Sequence, residues 1–146
     1  MSTPSVRLVS PSNDAHLVPY LAAMHAACIC QDTMVATFLP PLNSDRLLAY
    51  WREMMADVSA GVRLMVIQLD ESEPGTAAKG AELKGVVMLN MPQIETSAHQ
   101  GHIEKLMVSS TFRRRGAAKA MIQLIEREAV DRGKKLIVRY RQSLTL

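Results

Sequence analysis

The spacing of hydrophobic positions changes along this chain, and each change marks an element. Val6 to Val9 is a short apolar run ended by Ser10 and Pro11, which predicts a first strand. Leu17, Tyr20, Leu21, Met24 and Cys28 then recur at helical spacing, one stripe facing a core. Ser12 and Asp14 are expected to cap the first turn, and Pro19 fits the start of the helix, where its missing N–H costs nothing. Pro40 and Pro41 break the chain. Asn43 or Ser44 caps a second helix, in which Leu47, Leu48, Trp51, Met54, Met55 and Val58 share a face and which Gly61 ends.

After Gly61 the period becomes that of strands. Val62 to Leu69 and Gly85 to Leu89 read as strands joined by DESEPGTAAKGAEL, whose small and polar residues predict an exposed, mobile hairpin loop. Pro92 to Gln100 is a second loop, and His102 to Val108 a third internal strand. Ala117 to Val130 returns to helical spacing, with Ala118, Met121, Ile122, Ile125 and Ala129 in register; Gly133 stops it, and Leu136 to Tyr140 begins one more strand. The order β-α-α-β-β-β-α-β predicts an α+β, or mixed α/β, fold, and 146 residues fit one domain over 1–146.

Composition narrows the partners. A hydrophobic share of 48% with 21% charge is that of a folded chain, and the ten methionines read as core filling. The net charge of +3 is concentrated in Arg113, Arg114, Arg115, Arg139 and Arg141, which suits a small polyanion such as a phosphorylated cofactor better than a nucleic-acid duplex. Cys28 and Cys30 are too close for a comfortable disulfide and lack partners for zinc, so both read as buried thiols. His16, His25 and His99 have no metal-ligand spacing, and no metal is expected. Without a signal-like start or a run of ~20 apolar residues, no membrane association is expected and the cytoplasm is the expected compartment.

The most informative stretch is GHIEKLMVSSTFRRRGAAKAMIQLIEREA: an apolar strand, a polar turn, three arginines, Gly-Ala-Ala and a helix. A helix that opens directly after a strand aims its unpaired N–H groups and the positive end of its dipole into the turn. Gly116 permits close backbone approach, and Ala117 and Ala118 keep side-chain bulk low enough for a pyrophosphate. Arginines at a helix N-terminus oppose its dipole, so the Arg113 to Arg115 cluster calls for a compensating anion.

Arg113-Arg114-Arg115-Gly116-Ala117-Ala118 resembles the acetyl-CoA signature R/Q-x-x-G-x-G/A of the GNAT superfamily of N-acetyltransferases, and it lies between strand and helix as that signature requires. The flanking EKLMVSSTFR and KAMIQLIEREA fit the same family. The stretch from Trp51 to Gly61 ending in ADVSAG is similar to the tabtoxin-resistance type and to related fungal and bacterial acetyltransferases. The resemblance covers most of residues 5 to 138. It implies a mostly antiparallel central sheet flanked by helices, and acetyl transfer from acetyl-CoA to the amine of a small molecule in a ternary complex. It places the pyrophosphate on backbone N–H groups around Arg114 to Lys119, and the pantetheine arm along Leu106, Met107 and Val108 as an added strand. Met34 and Phe38 would then contact the acceptor.

Acetyl transfer needs a base for the amine proton and a donor for the oxyanion. Strand alternation puts His102, Glu104 and Leu106 on one face. The resemblance places acid/base residues at the positions of His102 and Glu104. An imidazole titrates near ~6.5, closer to neutrality than a carboxyl, yet both remain open as the base. A backbone N–H near Met107 or Val108 would polarise the thioester carbonyl.

The family's domain continues beyond the strand at Leu136 with a further helix and two strands, whereas RYRQSLTL follows Val138 here. The expectation is a C-terminally truncated domain whose last strand leaves an exposed edge, inviting a homo-oligomer or low stability. The alternative function is a catalytically impaired CoA-binding domain that acts through association with another chain.

Overall fold

The fold is described from a computed structural model covering residues 3–31, 44–72, 77–109, 112 and 116–139. β1 (Thr3–Leu8) leads through a single helical turn, α1 (Pro11–Asp14), and a 3-10 turn (Ala15–Leu17) into α2 (Val18–Gln31). α3 (Ser44–Ser59) precedes β2 (Arg63–Glu71), β3 (Leu83–Asn90) and β4 (Gln100–Val108); α4 (Ala117–Asp131) and β5 (Leu136–Arg139) follow. The five strands form one sheet in sequence order, β1-β2-β3-β4-β5. β1 to β4 are antiparallel neighbours, and β5 joins β4 in parallel because α4 carries the chain back between them.

Both faces of the sheet are covered. β2 alternates accordingly: Met65, Ile67 and Leu69 pack with Leu21, Met24, Leu47, Trp51 and Met55 of α2 and α3, while Leu64 and Val66 pack towards α4. A strand buried on both sides has no polar alternation, which is why Arg63 to Leu69 is buried throughout. α4 buries Ala117, Met121, Ile125 and Ala129, four positions spaced by one turn.

The helices and strands fall where hydrophobic spacing predicts them, with boundary shifts of a few residues. Three local expectations change. Tyr20 is 49% exposed, and its ring lies where a Cβ on Gly80 would project, so it covers the β2–β3 connection instead of joining the core. Asp14 is no cap by side chain for the first turn. It is buried, accepts from both terminal nitrogens of Arg7 at 2.7 and 2.8 Å, and takes the Ser10 N–H at 2.8 Å. Burial alone raises that carboxyl, but the bonds from Arg7 and Ser10 outweigh it and hold it below its ordinary range.

The β2–β3 connection is also not wholly an exposed loop. Residues 73–76 lie outside the described residues, but Ala78 and Glu82 are buried. Glu82 accepts from the hydroxyl and N–H of Ser72 and from the N–H of Lys79, which hold its carboxyl down at about 2. Cys28 is a buried thiol, while the Cys30 side chain lies outside the described residues. The outer strand β5 presents Leu136, 47% exposed, and Tyr140 and Arg141 fall outside the described residues. Among the described residues no helix is long and apolar enough to cross a membrane, and no cluster of three metal-binding side chains occurs.

Candidate active site

The two ends of the predicted site are held by ordinary fold elements. Phe112, buried against the body, donates its N–H to the Ser109 carbonyl at 2.9 Å and so fixes the chain as it leaves β4. Gly116 then opens α4 with φ of 76°, in the left-handed region where side chains other than glycine's are strained. A Cβ there would meet no described residue beyond its chain neighbours within 4 Å. Among the described residues no side chain caps the helix, and its first hydrogen bond runs from the Ala120 N–H to the Gly116 carbonyl at 3.0 Å. The N–H groups of Ala117, Ala118 and Lys119 therefore precede the helix's own ladder. Ala117 is buried, Ala118 half-buried and Lys119 exposed. Arg113, Arg114 and Arg115 lie outside the described residues, as do Met34 and Phe38.

β4 provides the second half. It pairs with β5 only from Gln100 to Ile103; from Glu104 to Val108 that edge has no strand partner among the described residues. The opening coincides with a β-bulge. Met88 faces Glu104 and Val86 faces Met107, so a single residue of β3 stands against Lys105 and Leu106. Lys105 takes φ of 56°, the one non-glycine among the described residues with positive φ.

The bulge reverses the parity of the strand and corrects one expectation. His102 and Glu104 share a face, as alternation requires. Leu106 does not join them. It packs with Val108 towards α4, whereas Met107 is buried against the α2–α3 side. The extra residue turns every side chain after it to the opposite face.

On the α2–α3 side the bulge meets a polar cluster that hydrophobic spacing does not reveal. Glu104 Oε2 accepts from Arg63 Nη1 at 2.9 Å, and Arg63 Nε reaches Asp57 Oδ2 of α3 at 3.4 Å. The Lys105 ammonium sits 5.8 Å from the centre of the Tyr50 ring. Burial lowers the Lys105 ammonium below its ordinary range, with Glu104 opposing the shift and Arg63 adding to it. Burial likewise pushes the Tyr50 phenol up to about 12. His102 Nε2 lies 3.1 Å from Gln100 Oε1. Sequence spacing does not single out Arg63, Asp57 or Tyr50; a lone charged residue at the head of the run Arg63 to Leu69 was the available signal.

The Acetyltransferase (GNAT) family profile matches residues 41–141. No curated protein sequence matches the chain. Among solved structures, a predicted acetyltransferase from Clostridium acetobutylicum with acetyl-CoA is similar at a TM-score of 0.63 and 14% identity, covering 95% of this chain and 81% of that one. An aminoglycoside acetyltransferase from an uncultured soil metagenomic sample, in complex with sisomicin, is similar at 0.65 and 13% identity, covering 94% and 77%. The ribosomal-protein-alanine N-acetyltransferase of Brucella melitensis biovar Abortus 2308 is similar at 0.62 and 19%, covering 95% and 80%. At these identities the likeness is one of fold.

Proposed function

The chain belongs to the GNAT acetyltransferase family, and from that premise we propose that it transfers the acetyl group of acetyl-CoA to the amine of a small molecule by direct attack in a ternary complex. The observation that carries this reading is that, among the described residues, the edge of β4 beyond Ile103 has no strand partner and the helix that follows in the chain has no side-chain cap at its N-terminus. An extended pantetheine arm supplies backbone-like partners to Leu106, Met107 and Val108, and a pyrophosphate suits the N–H groups from Gly116 to Lys119. Arg113, Arg114 and Arg115 stand next in sequence to that seat and add charge-assisted bonds. The acceptor lies on the α2–α3 side, where Met34 and Phe38 belong to the connecting segment.

In the reaction the amine nitrogen bonds to the thioester carbonyl carbon, the C–S bond breaks, and CoA leaves as its thiolate. A backbone N–H of Met107 or Val108 stabilises the oxyanion. The amine proton passes to Glu104, whose Oε2 is held by Arg63 while Oε1 accepts no hydrogen bond from a described residue. His102 lines the same face two residues away. Support for Glu104 comes from its fixed carboxylate beside the bulge, the point at which the strand's edge opens.

The test is thiol release from acetyl-CoA with a panel of small amines including an aminoglycoside, an amino acid and a polyamine. Turnover dependent on one of these amines is expected. Binding of acetyl-CoA with no turnover across the panel would contradict catalysis and leave the reading of a CoA-binding domain.

A further inference from the structure

Arg63 is the only charged residue in the buried run from Arg63 to Leu69, and it is 8% exposed. A guanidinium is a rigid, planar fork of donors, so its partners fix its orientation and it fixes theirs. Here those partners come from two elements. Asp57 on α3 takes Nε at 3.4 Å, and Glu104 on β4 takes Nη1 at 2.9 Å. A tie between α3 and β2 alone would need only Asp57. The second bond reaches across the sheet to the residue just before the bulge, and it engages only one of that carboxylate's two oxygens.

We propose that Arg63 is a positioning residue for acetyl transfer: it holds the Glu104 carboxylate by Oε2 so that Oε1 is presented to the acceptor amine, and Asp57 holds Arg63 in place. The inference rests on the acetyltransferase reading, with Glu104 as proton acceptor. The arrangement has a chemical reason. A lone glutamate on a strand samples several rotamers, and misplacement of a catalytic group by ~1 Å costs ~100-fold in rate. Anchoring one oxygen to a buried cation removes that freedom while leaving the second oxygen able to take a proton. Tyr50 of α3 and Lys105 of β4 lie near enough to the pair to feel the charges of both Arg63 and Glu104, so the anchored carboxylate sits beside two further polar side chains on that side of the sheet.

The test compares the wild-type protein with Arg63→Gln, Arg63→Lys, Glu104→Gln and the double variant Arg63→Gln/Glu104→Gln. Release of thiol from acetyl-CoA is followed with the fastest amine of the panel, and acetyl-CoA affinity is measured by calorimetry. Arg63→Gln is expected to lower kcat by ~10- to 100-fold with acetyl-CoA affinity within ~2-fold of wild type, and Arg63→Lys to recover part of the loss. In the Glu104→Gln background the same Arg63 change should alter kcat by less than ~2-fold, since a residue acting only through Glu104 has nothing left to act on. Losses that multiply in the double variant, or wild-type kcat in Arg63→Gln, would overturn the inference and make Arg63 a structural tie. If Arg63→Gln does not fold, the same cycle is run with Arg63→Lys. A wild-type protein that releases no thiol with any amine of the panel overturns the acetyltransferase reading itself, and this inference with it.

Discussion

The indole N–H of Trp51 on α3 donates to Nδ1 of His25 on α2 at 3.2 Å, and neither residue has exposed surface. Their rings meet edge to face at 87°, so the bond also sets the angle between the helices' contacting side chains. An imidazole that accepts at Nδ1 must be neutral there. Burial first, and the nearby Lys105 second, hold its pKa down at about 4 from an ordinary 6.5.

A stability prediction follows from the sign of that shift. The unfolded chain takes up this proton below ~6.5, the folded chain only near 4, so the contribution is complete above ~6.5 and is lost as the pH falls through that window. The carboxyls of Asp14 and Glu82 are held low and give up their contributions mainly below ~4.5. The thermal midpoint should therefore drop by ~5 °C between pH 7 and pH 5, and His25→Gln, which keeps an acceptor for Trp51, should flatten the slope. Parallel pH profiles for the two proteins would contradict this account.

Asp14 ties the end of β1 to the first helical turn through Arg7 and the Ser10 N–H. Asp14→Ala leaves both donors without their acceptor and is expected to cost ~1–3 kcal/mol, less than a fully buried pair because Arg7 is partly exposed. Urea denaturation at neutral pH measures it as a lower midpoint with an unchanged slope.

Gly85 faces Val108 beside the bulge, and a Cβ added there would stand 2.9 Å from Met121 Cε and 3.0 Å from the Met107 carbonyl oxygen. The methionine tip can move; the backbone carbonyl belongs to the strand proposed to bind pantetheine. Gly85→Ala is expected to destabilise the fold by ~1–2 kcal/mol and to weaken acetyl-CoA binding, read by thermal unfolding with and without acetyl-CoA.

Glu104→Gln should lower kcat by ~100-fold, within the usual range for loss of an acid/base group, with little change in acetyl-CoA affinity. His102→Gln should have the smaller effect on kcat. Reversal of that order in initial-rate measurements would move the base to His102.

The elements were legible where one physical rule dominates. α4 shows its buried positions at one-turn spacing, and Gly116 marks the point where the strand period gives way to that helix. What stayed hidden depends on contacts distant in the chain. Arg63 and Glu104 are 41 positions apart, and nothing local marks them as partners. The bulge was hidden for another reason: its positive φ falls on Lys105, not on the glycine or asparagine that usually advertises such a conformation. Leu106 was assigned to the wrong face as a consequence. Asp14 and Tyr20 were misjudged because cap and stripe patterns fit several arrangements, and contacts with Arg7 and with Gly80, which no local pattern announces, decide between them.

Titration of acetyl-CoA by calorimetry against the wild-type protein, Gly116→Asn and Gly116→Asp tests the central claim most directly. Asn and Asp tolerate positive φ better than other side chains, and at Gly116 a Cβ meets no described residue beyond its chain neighbours within 4 Å. The two side chains are matched in size, and only the aspartate adds a negative charge. If the pyrophosphate sits on this turn, the wild type binds, Gly116→Asn binds more weakly, and Gly116→Asp loses a further ~10-fold or more through repulsion of the phosphates. Equal affinity in all three proteins, or no binding by the wild type, would contradict the account.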